Sequence, residues 1–253
     1  MSEISLALSG GAARGAYHLG VLQYIDDVDI KVKAICGTSI GAIIGTSYAS
    51  GVSPTRQLEI FKSQEFKNIF SFNFFRNSIF SIDSKAAVLK QLMPIDNLEE
   101  LNIPVHLTAV DLATGEELFF SHGKLPEICL ASSALIPMFK PVKYDGHILG
   151  DGGLINHMPI KPLKEHNYPI VGINLHPLTA SSKQNNIYNF IKRAIYLKTY
   201  SSSQDSQRKC NVFITNDKLR NYSLFSLKHL DEMFNMGYRD AENLLDIYAT
   251  MPT

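Results

Sequence analysis

Twice within its first fifty residues the chain runs a short apolar stretch into a turn of small residues, and from there straight into a helix-like stretch. Ile4–Leu8 leads into Ser9-Gly10-Gly11-Ala12-Ala13-Arg14-Gly15, after which Leu19, Leu22 and Ile25 share one helical face from about Gly15 to Ile25. Val32–Cys36 leads into Gly37-Thr38-Ser39-Ile40-Gly41 and a helix-like run Ile40–Ala49. A strand that feeds a helix and then another strand has to pair in parallel through a right-handed crossover, so the sheet is built with helices on its faces.

The rhythm continues. Val105–Val110, Glu117–Ser121, His147–Leu149, Ile170–Leu175 and Val212–Ile214 read as strands. Pro54–Ser63, Lys85–Met93, Tyr188–Tyr200 and Leu230–Tyr248 read as helices. The pattern predicts an α/β sandwich with a mostly parallel central sheet, whose sites lie beyond the carboxyl ends of the strands. No repeat and no long linker divides the 253 residues, so residues 1–253 are expected to form a single domain. That length suffices to bury roughly 70–75% of the surface an unfolded chain exposes.

Two regions break the rhythm. Phe61, Phe66, Phe70, Phe72, Phe74, Phe75 and Phe80 crowd one segment at neither helical nor strand spacing, and read either as core or self-association surface or as a lid or acyl-binding element. Ser181–Asn186 and Ser201–Ser206 are polar and loop-like, flanking a helix with Lys192, Arg193 and Lys198 that reads as a solvated face.

Charge and cysteine content remove several function classes. Lys and Arg together number 24, as do Asp and Glu, so no global field draws the chain to nucleic acid, and any transient contact with a membrane surface must be local. Cys36, Cys129 and Cys210 are too far apart for a disulfide framework or a zinc C-x-x-C pair, which fits a reducing compartment. The start lacks a basic signal-peptide region, and nowhere do about 18 apolar residues run together, so a cytoplasmic protein is expected. None of the eight histidines has metal-ligand spacing, and neither a metal nor another cofactor is expected.

Three motifs carry chemistry. Gly37-x-Ser39-x-Gly41 between a strand and a helix is the context of a nucleophile elbow: glycines clear the sharp turn and the helix N-terminus favours developing negative charge, with the Ile40 N–H aimed at it. By itself the motif is equally a glycine-rich turn capped by Ser39. The loop Gly10–Gly15 fails both nucleotide patterns, because position 12 is alanine where G-x-G-x-x-G needs glycine and position 16 is alanine where a P-loop needs lysine. An oxyanion hole would use such a loop, with unhindered backbone donors and one cation, Arg14. Gly150-Asp151-Gly152-Gly153 lets a carboxylate approach another backbone, although a plain D-G turn between strands is the simpler reading. Asp111 is either a supporting carboxylate or a loop residue, and Cys36 reads as a small buried hydrophobe.

Taken in this order, the motifs resemble the patatin-like phospholipases, and Ala131-Ser132-Ser133-Ala134 through Pro137, Phe139 and Pro141 is similar to that family's A-S-x-A…P…F-x-P block. The resemblance covers about residues 3–175. It implies a three-layer α/β/α fold and a serine lipid acyl hydrolase of phospholipase A or lysophospholipase type acting through an acyl-enzyme. Ser39 would be its nucleophile and Asp151 its general base. Gly10, Gly11, Ala12, Arg14 and Ile40 would form or support the oxyanion hole, and Gly15, Gly37, Gly41, Gly152 and Gly153 would be motif glycines. The implied partner is a lipid or acyl-ester substrate. Two departures stand out: the loop reads G-G-A-A-R in place of three consecutive glycines, and Pro137 comes one position late. An acyltransferase sharing the acyl-enzyme, or a silent lipid-binding module, would carry the same motifs. The order Ser, Asp, His also permits a triad with His157, His166, His176 or His229. Asp151, the one acidic residue flanked by glycines, favours a dyad in which each of those histidines is dispensable.

Overall fold

The structure is a computed structural model that describes residues 2–72, 80–82, 87–178 and 186–250. In chain order its elements are β1 (Glu3–Leu8), α1 (Ala16–Asp27), β2 (Lys31–Gly37), α2 (Ile40–Ala49), α3 (Pro54–Lys62), α4 (Gln64–Asn68), β3 (Phe70–Phe72), β4 (Phe80–Ile82) and α5 (Ala87–Leu92). There follow β5 (Val105–Asp111), β6 (Glu117–Phe120), α6 (Leu125–Ser132), β7 (Val142–Tyr144), β8 (His147–Asp151), β9 (Ile170–Ile173), α7 (Ile187–Lys209), β10 (Val212–Ile214) and α8 (Leu230–Thr250). The central sheet runs β10-β9-β1-β2-β5-β8-β7, with β6 added on β5, and helices flank it. From β10 to β5 all neighbours are parallel, whereas β6, β7 and β8 join antiparallel.

Strand alternation sorts the residues onto two unequal faces. Ile4, Leu6, Leu8 and Ile35 point into a large core with α1, α2 and α8. Ala7, Ala34 and Cys36 point to the other face, where their small side chains meet Met158, Ile160 and Leu163. The helix starts are written locally: Ser53 Oγ accepts from the Arg56 N–H (3.3 Å) with Pro54 just inside α3, and Ser63 Oγ accepts from the Phe66 N–H (3.1 Å). At the far end of the chain α8 returns onto α1, with the Tyr17 hydroxyl donating to Asp240 at 2.6 Å.

One register detail positions the site. Along β5, Leu107 pairs with Gly37 of β2 and with Phe120 of β6, while Ala109 pairs with Leu118 of β6 and with Asp151 of β8. A strand has two edges, so β6 occupies one and β2 and β8 share the other. β8 therefore takes up the edge of β5 where β2 leaves it, and Asp151 at the end of β8 arrives beside the turn that follows Gly37.

The strands expected from sequence are present, and the helices expected at Ile40–Ala49, Pro54–Ser63 and Leu230–Tyr248 agree with α2, α3 and α8 to within two residues. Ser201–Ser206 is a correction: it lies inside α7 and is no loop. Its serines are accommodated by back-bonding, Ser202 Oγ to the Thr199 carbonyl and Ser203 Oγ to the Tyr200 carbonyl (both 2.8 Å). Residues 181–185 of the other polar stretch lie outside the described residues, as do Phe74 and Phe75. The phenylalanine segment resolves into the end of α3, α4 and an antiparallel β3–β4 pair. Among the described residues no helix is long and apolar enough to cross a membrane.

Candidate active site

Ser39 sits between β2 and α2 with φ 55° and ψ −123°, a left-handed conformation that a side-chain-bearing residue holds only at a cost of roughly 1–3 kcal/mol. Neighbouring hydrogen bonds enforce it. The Thr38 N–H donates to the Leu8 carbonyl (3.1 Å), the Ser39 N–H donates to Ser132 Oγ (3.0 Å), and the Ser39 carbonyl accepts from Ala42 (2.9 Å) and Ile43 (3.2 Å). Glycine is required on both sides: a Cβ at Gly37 would stand 2.6 Å from the Gly41 carbonyl oxygen, and one at Gly41 would stand 2.4 Å from that of Leu8.

Asp151 meets this turn from β8. Its N–H donates to the Ala134 carbonyl (3.0 Å), Oδ1 accepts from the Gly153 N–H (2.8 Å), and the Ser39 side chain lies close enough to its carboxylate to stabilise the charged form. The residue is 5% exposed, and burial pushes its pKa up to about 6, against the opposing pull of the Gly153 N–H and Ser39. A Cβ at Gly152 would lie 2.6 Å from the Thr108 carbonyl oxygen, so glycine lets β8 close on β5; one at Gly153 would crowd Asp151 Oδ1 at 3.0 Å.

The loop after β1 completes the arrangement. Among the described residues the N–H groups of Gly11, Ala12 and Ile40 have no partner, whereas that of Gly10 donates to the His157 carbonyl (3.2 Å) and that of Ala13 to Leu224 (2.9 Å). Gly11 adopts φ 155° and Ala12 φ 49°, turning the loop sharply at this point. Gly10 therefore serves as a close-approach residue, since a Cβ there would meet Ser39 Cβ at 3.3 Å, while Gly15 makes room for Ile40. Arg14 is buried and points away from Ser39: Nε and Nη2 donate to the Tyr222 carbonyl (3.1 and 2.9 Å) and Nη1 to that of Leu175 (3.1 Å). It braces the loop.

Sequence reasoning gave no role to Ser132, which accepts the Ser39 amide, although the A-S-x-A block marked its position. It also overlooked a buried histidine pair. The rings of His157 and His176 stand edge to face at 4.4 Å and His157 packs against Gly10, whose carbonyl accepts from Ser9 Oγ at 3.1 Å and lies close enough to both rings to influence their titration. Burial holds them neutral, His157 down to about 3 and His176 well below the usual histidine value. His166 pairs with His106 (3.0 Å) and His229 with Glu232 (2.9 Å), so neither joins Ser39 and Asp151. Asp111 is held by His147 Nδ1 (2.7 Å) and the Ala113 N–H (2.9 Å) at the far end of β5. Among the described residues no group of three or more His, Cys, Asp or Glu side chains could hold a metal ion.

Ser39 opens into an apolar cavity of about 300 Å³. Ile40, Ile43, Phe61, Phe66, Leu92 and Met93 line it, and the exposed Phe225 contributes to its wall. Two phenylalanines of the crowded segment, Phe61 and Phe66, are thus buried walls of this cavity, with ring centroids 4.9 Å apart. The whole assembly amounts to a hydroxyl on a helix N-terminus, a buried carboxylate, free backbone donors and an apolar slot. It can support nucleophilic attack on a carbonyl compound with a long apolar substituent.

Comparison with known proteins fits this geometry. A family model described as patatin-like phospholipase matches residues 6–164. A patatin-like phospholipase domain-containing protein of Caenorhabditis elegans is 33% identical over 166 residues, covering 62% of this chain and 12% of the relative. An uncharacterized NTE family protein of Mycobacterium tuberculosis is 31% identical over 170 residues, covering 64% of this chain and 45% of the relative. The chain thus spans less than half the length of these curated relatives. Among solved structures, VipD from Legionella pneumophila superposes with a TM-score of 0.57 at 14% identity, over 98% of this chain and 67% of that one, a likeness of fold.

Proposed function

The chain belongs to the patatin-like phospholipase family, and from that premise we propose that it is a serine hydrolase of lipid acyl esters working through a Ser39–Asp151 dyad. The observation that carries the reading is the juxtaposition itself: a serine in a strained turn beside a buried carboxylate at the wall of an apolar cavity.

In this reading an acyl chain enters the cavity, where burial contributes about 0.8 kcal/mol per methylene, and brings its carbonyl carbon to Ser39 Oγ. Ionised Asp151 takes the hydroxyl proton as the bond forms. Negative charge on the carbonyl oxygen is met by the Gly11 and Ala12 N–H groups of the loop after β1 and by the Ile40 N–H at the start of α2. Asp151 returns the proton to the departing alcohol, leaving an acyl-serine. A water then repeats the sequence with Asp151 again as base, which frees the fatty acid. Because a lone carboxylate is a weaker base than histidine, the elevated Asp151 pKa and the held Ser39 backbone have to supply what an imidazole would.

The test is a hydrolysis panel of phospholipid, lysophospholipid and acylglycerol substrates, run on wild type, Ser39→Ala and Asp151→Asn with and without an added acceptor alcohol. Free fatty acid from the wild type alone is the expected product. A new ester formed with the alcohol would reassign the chain as an acyltransferase. Equal turnover by Ser39→Ala would remove the proposal.

A further inference from the structure

The outer face of α7 is inverted relative to an ordinary surface helix. Ser203 and Ser206, 1% and 5% exposed, face the protein, and Ser202 Oγ accepts from the His157 N–H (3.2 Å). Ile187 and Ile195 are 75% and 63% exposed, and Phe190, Ile191 and Leu197 stand out with them. At 100° per residue these five fall within one arc of less than half the helix circumference. A helix that shows water only its own surroundings carries its polar residues outward. A contiguous apolar face of this kind marks an interaction surface.

Charge identifies the occupant. From Ile187 to Gln204 the helix contains Lys192, Arg193 and Lys198 and no acidic residue, in a chain whose total charge is zero. An apolar stripe accompanied by cations is the signature of a helix lying in the plane of an anionic lipid surface. Its place fits as well. The Tyr196 hydroxyl donates to the Pro177 carbonyl, and the Tyr196 ring lies 5.8 Å from that of His176, the residue that helps seat the loop beside Ser39. Leu154, Ile155 and Leu178 are exposed at the same carboxyl end of the sheet.

We propose that α7 is an interfacial helix that lays its Ile187–Leu197 face on an anionic lipid surface and holds the Ser39 cavity against it. The choice of a membrane as occupant rests on the lipid-hydrolase reading, whereas the binding test does not. The helix supplies the local membrane contact that a neutral chain lacks globally, and it acts without entering the cavity.

The test is co-sedimentation of the Ser39→Ala chain with phosphatidylglycerol and with phosphatidylcholine vesicles, before and after the combined change Ile187→Ser, Phe190→Ser, Ile191→Ser and Ile195→Ser. Preference for phosphatidylglycerol, weakening with salt, and a loss of at least about tenfold in the serine variant are expected. With Ser39 restored, the variant should hydrolyse a short soluble ester at the parent rate, which certifies its fold. Undiminished vesicle binding by the variant, or no binding by the parent, overturns the proposal. A dimer that the serine changes dissociate, with no vesicle binding, would give this face to a second copy. If the parent hydrolyses no ester, the functional reading fails while the binding result still decides the role of α7; fold is then certified by an unchanged melting transition.

Discussion

Burial at Asp151 sets reactivity against stability. A carboxyl whose pKa rises from 3.8 to about 6 on folding makes the native state more stable when protonated; that advantage is lost as pH climbs from about 4 through 6. That rise corresponds to roughly 3 kcal/mol carried as a penalty at neutral pH. Asp151→Asn should therefore abolish turnover and yet melt several degrees higher than wild type at pH 8, with the gap closing toward pH 4. Thermal denaturation across that range checks it, and a variant no more stable at pH 8 would contradict the penalty. The same ionisation should give kcat/KM an acid limb near pH 6, where an exposed aspartate would place it near 4. At Gly11 a Cβ would press on Leu175 Cδ1 at 2.6 Å and on its Cβ at 2.7 Å. Gly11→Val should displace one oxyanion donor and cost about 10²–10³ in kcat, measured on a soluble ester with the fold verified by circular dichroism.

The loop Gly10–Arg14 is an element whose shape is imposed from outside. A peptide plane holds its C=O and the next N–H in opposite directions, so a Gly10 carbonyl held by Ser9 Oγ on the side of His157 and His176 sends the Gly11 N–H the other way. This divides the four histidines that follow Asp151. His157→Ala and His176→Ala should lower kcat roughly ten- to a hundred-fold through misplacement of the loop, whereas His166→Ala and His229→Ala should change it by no more than a few-fold. Equal effects at all four positions would show that the carbonyl needs no such anchor. The glycine motifs were legible in the sequence because their chemistry is local: a left-handed serine between a strand and a helix needs Gly37 and Gly41 wherever it occurs. The histidine pair was not legible, since His157, His176 and Gly10 are brought together by β1, β9 and the turn after β8, and no spacing along the chain encodes that. Arg14 lay between these cases. Its cation was visible, but its three hydrogen bonds go to two carbonyls, those of Leu175 and Tyr222, which only the fold brings to it. The serines of Ser201–Ser206 misled for the converse reason, because their weak helix propensity yielded to burial against the turn that carries His157.

At the scale of the whole molecule, the sheet order brings Asp151 to Ser39, and the large helical face encloses the cavity. The antiparallel return of β8 along the edge vacated by β2 could not be read from a βαβ rhythm, which predicts parallel neighbours. Three buried neutral histidines, His18, His157 and His176, stand behind this end of the sheet, all with depressed pKa values caused first by burial. Their contribution to stability is present above the ordinary value of 6.5 and is lost as pH falls toward their folded values, about 4 for His18 and about 3 for His157. Denaturant titrations should show stability falling below about pH 6.5, at up to about 1.4 kcal/mol per pH unit for each histidine, and His157→Asn should remove one proton from that slope. A pH-independent stability between 4 and 6.5 would refute neutral burial. Fluorophosphonate labelling with peptide mapping by mass spectrometry tests Ser39 as nucleophile and Asp151 as its base. One adduct is expected, on Ser39, formed at a rate that rises through about pH 6 and collapses in Asp151→Asn. A label on another residue, or labelling of Asp151→Asn at the wild-type rate, would contradict that assignment.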